Sequence, residues 1–236
     1  MTHSTAGVNA VPERAYSRTL GNGLRLLELL HDRVTGLGVN EIAAGLGLHR
    51  TVVYRLLGTL RAHHLVVEQD GRYTLGLGLI ELAGSVRADL RRAAEPQLAT
   101  LAERVGATAF LTLADGDEAV SACVVEPRSA RLHVGYRLGM RHPLTLSAAG
   151  LAILAGRPAQ HGERPELGTA RRRGYAATTG ELEPGAWGLA VPLPDPGRYA
   201  TASIGVVAMT KLAANTVAPA VREAVDAIAI AAGLTR

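Results

Sequence analysis

Residues 18–75 contain three short amphipathic helical patterns followed by a hairpin pattern, and this order restricts the fold more than any other feature of the chain. Apolar residues recur every three or four positions in the helical patterns, as a helix with one buried face requires. Asp70-Gly71 lies between two strand-like runs and is a strong signal for a two-residue hairpin turn. We predict helices over Arg18–His31, Val39–Leu46 and about Arg50–His63, and strands over Leu65–Gln69 and Arg72–Leu75, which is the order of a winged helix-turn-helix.

A longer helical pattern follows the hairpin, and beyond it the sequence alternates between strands and helices. One helix is predicted over Leu77–Glu95, and Pro96 either ends it or begins the next helix, Gln97–Val105. Gly156–Arg173 is rich in proline, glycine and arginine, which favours an exposed loop. The other predicted elements are strands at Thr108–Ala114, Glu118–Val125, Leu132–Tyr136, Trp187–Pro192 and Thr201–Val207, and helices at Ser147–Leu154 and Thr216–Ala232.

These patterns predict a mixed fold class with two domains. An N-terminal, mainly α-helical winged helix-turn-helix domain is joined by a linker helix to a C-terminal α+β domain with an antiparallel sheet. We expect a disordered tail over residues 1–14, the first domain over 15–76, the linker helix over 77–95 and the second domain over 96–236.

Composition indicates a globular protein of the cytoplasm. Of the 236 residues, 47% are hydrophobic and 19% are charged. No apolar run reaches the ~18–20 residues that a membrane span needs, and the N-terminus lacks the pattern of a signal peptide. The single cysteine, Cys123, lies in an apolar run, which favours a buried thiol over a nucleophile or a metal ligand.

The third predicted helix has the charge pattern of a DNA-reading element. The net charge is +4 and Lys211 is the only lysine, so arginine supplies nearly all the positive charge. Arginine suits phosphate and guanine contacts, although codon bias explains its abundance equally well. No acidic residue occurs from Ile42 to Val67, as expected of a surface that approaches phosphates. The candidate DNA contacts are Arg50, Thr51, Tyr54, Arg55, Arg61 and Arg72, and the alternative is an ordinary solvated helix face.

Several motifs together resemble the IclR (isocitrate lyase regulator) family of bacterial transcription factors. The first is the run from Gly45 to Leu60, and the hairpin ends in the similar Tyr73-Thr74-Leu75-Gly76. Further matches lie at Leu138–Leu144, Ser147–Ala155, Arg173–Ala176 and Glu183–Gly185, so that the likeness extends over about Ser17 to Gly233.

This resemblance implies a regulator that binds a palindromic operator as a dimer or a dimer of dimers. It implies that the second domain binds a small organic effector, either an organic acid or an aromatic molecule, and that binding changes the affinity for DNA. Residue by residue, the family's effector pocket maps onto Met140, Leu144, Ser147, Ala148, Trp187 and Ala190.

Departures from the family pattern put the effector chemistry in question. Gly150-Leu151-Ala152 stands where the family has Gly-Lys-Ala, and Trp187 lies in a loop where many members carry a cysteine or a small polar residue. Few of the mapped residues are polar, so a carboxylate ligand would need backbone donors such as the N-terminus of the helix that begins at Ser147. Trp187 has a second interpretation, as a core or interface residue.

Catalytic and metal-binding motifs are not found. The chain has no Walker loop, no His-Glu-x-x-His and no Gly-x-Ser-x-Gly, and the adjacent His63 and His64 cannot face one metal ion on a helix. We therefore expect no enzyme, no cofactor and no metal. Three hypotheses remain: a ligand-responsive regulator, a DNA-binding regulator whose C-terminal domain only oligomerises, and a ligand-binding module whose winged helix contacts protein.

Overall fold

The chain divides into two units, with the boundary between Val86 and Arg87. A computed structural model describes residues 16–31, 33–128, 135–195 and 199–234. The predicted tail over residues 1–14 and most of the predicted strand Leu132–Tyr136 lie outside the described residues. Every helix in the described ranges is too short or too polar to span a lipid bilayer.

The first unit is a winged helix-turn-helix, as the sequence predicts. Asp70 and Gly71 both have positive φ, 51° and 73°, which is the conformation of a two-residue hairpin turn. One short strand, Leu37–Gly38, was not predicted, because two residues carry no detectable periodicity. It pairs with the second hairpin strand. The elements are α1 (Arg18–His31), β1 (Leu37–Gly38), α2 (Val39–Leu46), α3 (Arg50–Ala62), β2 (Val66–Gln69) and β3 (Arg72–Leu75), with sheet order β1-β3-β2.

The predicted linker helix is broken, and this prediction was wrong. Two helices, α4 (Gly78–Ser85) and α5 (Ala88–Val105), replace it, and Arg87 between them has the left-handed φ of 48°. Gly84 and Ser85 are weak helix formers at the break, and α4 has no buried residue that would hold it in a longer helix.

Pro96 neither ends nor begins a helix, because it lies inside α5 and leaves that helix unbroken. The buried stripe of α5 starts at Leu90 and continues past Pro96 to Leu101. Packing of this stripe against the rest of the second unit offsets the backbone hydrogen bond that proline cannot donate.

The second unit contains a six-stranded antiparallel sheet with helices on both faces. Its strand order is β6-β5-β4-β9-β8-β7. A helix occupies part of the segment for which the sequence predicted an exposed loop, since Leu167 and Ala170 are buried one turn apart. The elements are β4 (Thr108–Asp115), β5 (Glu118–Val125), β6 (Arg141–Pro143), α6 (Ser147–Ala155), α7 (Pro165–Arg173), β7 (Ala176–Thr179), β8 (Trp187–Leu193), β9 (Ala202–Ala208) and α8 (Ala214–Ala231).

Side chains alternate between the two faces of this sheet, so neighbouring residues belong to different cores. On β8, Trp187 and Leu189 pack with α5 and α8, whereas Ala190 packs with α6 and α7. On β4, Leu111 belongs to the first core and Phe110 to the second. Alanine supplies six of the eleven buried residues in the core on the α6 side, and these small side chains leave space for a cavity.

Gly150 allows α6 to pack closely against the segment that precedes it. A Cβ atom at this position would lie 2.3 Å from the carbonyl oxygen of Leu144. We expect Gly150→Ala to lower the free energy of unfolding by about 1–3 kcal/mol, because backbone must move to relieve the clash. The control is Gly168→Ala in α7, where the added methyl group has room. It should raise stability by about 0.5–1 kcal/mol through helix propensity. Chemical denaturation measures the free energy of unfolding of both variants. Equal changes in the two variants would contradict the packing argument.

Candidate nucleic-acid interface and ligand cavity

The N-terminal half of α3 presents an exposed, basic surface. Arg50, Thr51 and Arg55 are exposed, and the Tyr54 side chain is 58% exposed. Val53, Leu56 and Leu57 on the opposite side of α3 are buried in the core of the first unit. The guanidinium groups of Arg50 and Arg55 form no hydrogen bond or ion pair with any residue that the structure describes. Both are therefore available for an anionic partner.

His49 caps the start of α3 with its ring. The Nδ1 atom of His49 accepts a hydrogen bond from the backbone N–H of Thr51 at 3.3 Å and lies 3.1 Å from the Thr51 hydroxyl oxygen. This contact satisfies one of the free N–H groups of the first helical turn. Thr51 is thereby held in place at the end of the basic surface, where the sequence predicts contact with DNA.

The other two predicted contacts, Arg61 and Arg72, are engaged within the first unit. Arg61 pairs with Glu68 on β2. Arg72 donates to the carbonyl oxygens of Thr35 at 3.0 Å and Gly36 at 2.8 Å, and it lies 3.2 Å from the Glu41 carboxylate. Both side chains therefore link the hairpin to the rest of the unit.

The Glu41 carboxylate also holds the start of α2. It accepts the backbone N–H of Gly38 at 2.8 Å, which lowers the pKa of Glu41, and the charge of Arg72 lowers that pKa further. Arg72 on β3 thus connects the hairpin to the Thr35-Gly36 segment and to the start of α2.

Arg72→Ala is expected to destabilise the first unit by about 1–2 kcal/mol, because two hydrogen bonds to a charged donor are lost from a half-exposed site. Chemical denaturation measures this change. Arg50→Ala is the matched control, since its guanidinium forms no hydrogen bond or ion pair with the described residues and its loss should leave stability unchanged. Unchanged stability combined with weaker DNA binding would instead identify Arg72 as a DNA contact.

A cavity lies on the α6 face of the second sheet. Its empty volume, including the open mouth, is about 470 Å³. The Phe110 and Tyr136 rings pack with their centroids 4.7 Å apart, and the Tyr136 hydroxyl lies 2.9 Å from the Thr112 hydroxyl oxygen. Burial raises the pKa of Tyr136 to about 12, so this ring stays neutral. The described lining residues are Phe110, Gly135, Tyr136, Met140, Ser147, Ala148, Ala149, Thr178, Glu181, Leu182, Glu183, Ala186, Gly188 and Val207.

The N-terminus of α6 lines this cavity, and its first two backbone N–H groups already have partners. The backbone N–H of Ser147 donates to Glu181 Oε2 at 2.8 Å, and that of Ala148 donates to Thr178 Oγ1 at 3.0 Å. Ser147 has φ +64°, which few residues other than glycine adopt. Glu181 is held in turn by Arg164, 3.0 Å from its Oε1 atom. A carboxylate of the protein itself therefore occupies the position that the sequence offered to a carboxylate ligand.

Three of the six predicted effector contacts line the cavity: Met140, Ser147 and Ala148. The other three do not. Leu144 packs in a small separate cluster with Ala119 and Ile153, and Ala190 is fully buried beside the cavity. Trp187 lies on the opposite face of the sheet, because its neighbour Gly188 is the residue that faces α6.

Comparison with known proteins identifies the family of both units. Residues 19–70 match the IclR helix-turn-helix domain, and residues 84–165 match the bacterial transcriptional regulator IclR C-terminal domain. The chain belongs to the IclR family of transcriptional regulators. It is therefore a DNA-binding regulator rather than an enzyme, as the sequence predicts.

Similar IclR-family proteins come from several bacteria. The HTH-type transcriptional regulator XynR of Escherichia coli is 28% identical over 75% of this chain and 80% of its own length. The glycerol operon regulatory protein of Streptomyces griseus is 29% identical over 80% of this chain and 84% of its own. An IclR homologue from Microbacterium hydrocarbonoxydans, crystallised with 4-hydroxybenzoate, has the same fold, with a TM-score of 0.80, 24% identity and coverage of 92% of this chain and 100% of that one.

Proposed function

We propose that this IclR-family regulator represses a catabolic or neighbouring operon by binding a palindromic operator as a dimer, and that a small aromatic molecule in the second unit alters its affinity for DNA. The observation that carries the proposal is the exposed α3 surface, where Arg50 and Arg55 have no partner among the described residues. In a helix-turn-helix, the N-terminal part of the recognition helix, here α3, reaches base edges in the major groove.

Exposed apolar side chains support a dimer. On α1, Leu20 is 63% and Leu24 is 51% exposed, and on α4, Ile80 is 69% exposed. Leu20 and Leu24 are one turn apart on α1, and exposed apolar side chains on one helix face are typical of a surface that a second protein chain covers. From the sequence, Leu79, Ala83, Val86 and Leu90 form one apolar stripe that we expect to pair across the dimer. Leu90 does not belong to this stripe, since it is buried within the second unit.

The cavity supports a response to a ligand. Its lining is mostly apolar with a few polar groups, which is typical of small-molecule sites. The related Microbacterium protein was crystallised with an aromatic ligand, which makes small aromatic molecules the first to test here.

Titration of labelled DNA from upstream of the gene, against a shuffled duplex at several salt concentrations, tests the proposal. We expect tighter binding to the upstream DNA, and log K should fall with log[salt] at a slope of about −0.9 for each phosphate contacted. Light scattering should give a dimer or a dimer of dimers. Equal affinity for both duplexes would contradict operator recognition, and no binding at low salt would favour a protein partner for the winged helix.

A further inference from the structure

We propose that Glu181 fills the anion-binding position of the cavity with its own carboxylate, so that the cavity rejects carboxylic acids and accepts an apolar ring that carries an amine. This inference rests on the proposed ligand response and specifies the chemical class of the ligand. It concerns the fourteen described residues that line the cavity.

The first two N–H donors at the start of α6 are not available to a carboxylic acid. The N–H groups of Ser147 and Ala148, at the positive end of the α6 dipole, donate to Glu181 and Thr178. Arg164 also binds Glu181, through Nη2 at 3.0 Å and Nη1 at 3.3 Å. An incoming carboxylate would have to displace Glu181 from the Ser147 N–H and from Arg164, and Thr178 from the Ala148 N–H.

Glu183 gives the cavity a second carboxylate with spare acceptor capacity. Its Oε2 atom accepts the backbone N–H of Gly135 at 3.1 Å, and no described residue forms an ion pair with it. A carboxylate can accept about four hydrogen bonds, and the residues that the structure describes use one of them. Among the described residues that line the cavity there is no arginine, lysine or histidine. The part of the cavity next to Glu183 is thus suited to a hydrogen-bond-donating cation.

The rest of the cavity lining suits an aromatic ring. Phe110, Tyr136, Met140 and Val207 supply apolar and aromatic surface. Tyr136 is neutral, because burial raises its pKa to about 12, and its hydroxyl contacts Thr112. A benzylamine-like molecule would place its ring on these side chains and its ammonium group near Glu183. A benzoate-like molecule would bring a third carboxylate close to two others.

Three fragments of nearly equal size test this assignment: benzylamine, benzyl alcohol and benzoate. Calorimetric titration of the full-length protein without DNA gives the affinity for each. We expect benzylamine to bind about tenfold or more tightly than benzoate, because juxtaposed like charges oppose binding, and benzyl alcohol to fall between them. Glu183→Gln should remove the preference for benzylamine over benzyl alcohol.

Glu181→Ala should reverse the order of affinities. It frees the Ser147 N–H and the Arg164 guanidinium for a ligand carboxylate, so benzoate should then bind more tightly than benzylamine. Glu181→Gln keeps an acceptor for the Ser147 N–H without the charge, and should give an intermediate result if the alanine variant is too unstable to study. Glu166→Ala is the matched control, because it removes another carboxylate next to Arg164 that does not line the cavity.

Tighter binding of benzoate than benzylamine by the unaltered protein would overturn the proposal, as would an unchanged order in Glu181→Ala or no detectable binding of any fragment. These results test the ligand class and do not test operator recognition. Operator recognition is measured on DNA without ligand, and a regulator that binds its operator but prefers benzoate would retain the function and lose only this inference.

Discussion

Trp187→Ala should lower the free energy of unfolding by about 3–5 kcal/mol, the usual cost of truncating a large buried aromatic side chain. The Trp187 side chain is 3% exposed and lies in the core between the sheet and helices α5 and α8. Chemical denaturation followed by far-ultraviolet circular dichroism measures the loss without depending on tryptophan fluorescence. Tyr199→Ala is the matched control, because this ring is largely exposed and its loss should change stability by no more than about 0.5 kcal/mol.

Trp187→Phe separates the two roles that the sequence leaves open for this residue. Phenylalanine fills most of the space, so the variant should fold and should keep the order of affinities for benzylamine, benzyl alcohol and benzoate. A folded Trp187→Phe protein with an altered order of affinities would return Trp187 to the ligand site.

Arg55→Ala should weaken binding to an identified operator by about 1–3 kcal/mol, which corresponds to roughly 5- to 150-fold. The Arg55 guanidinium is exposed on the basic side of α3 and has no partner among the described residues. Arginine can bind guanine through two parallel hydrogen bonds, and alanine loses both. Competition titration with operator and shuffled duplexes at one salt concentration measures the change.

Two further variants make the Arg55 measurement specific. Arg55→Lys keeps the charge but cannot form the paired contact, so it should lose affinity for the operator more than for shuffled DNA. Arg172→Ala removes the same charge from an exposed position on α7 and should leave operator affinity nearly unchanged. Equal losses of Arg55→Ala on both duplexes would place Arg55 on a phosphate instead of a base.

Much of the fold could be predicted because local signals agree with tertiary structure in most elements. The three helices of the winged unit, its Asp70-Gly71 turn and most strands of the large sheet lie close to their predicted positions. Two errors in the predicted secondary structure have identifiable causes. Pro96 is a strong helix-breaking signal that packing overrides, and α7 has only two buried residues, too few for a visible periodicity.

The ligand cavity was predicted less completely, because it depends on contacts between distant segments. Phe110 looks like an ordinary core residue in the sequence, and Thr178 and Glu181 belong to a strand and a loop whose approach to α6 no local pattern reveals. The misplacement of Trp187 has a simpler cause. An error of one residue along a strand transfers a side chain to the other face of the sheet, so Gly188 should have been chosen in its place.

The hydrogen bond between Glu181 and the Ser147 N–H links the evolution of this cavity to the stability of the unit that contains it. The same carboxylate that determines which ligands fit also caps α6, so a mutation that admits acids removes a cap at the moment it changes specificity. A lineage that moved from amine-like to acid-like effectors would therefore pass through a less stable protein until the new ligand was abundant enough to replace the lost contact.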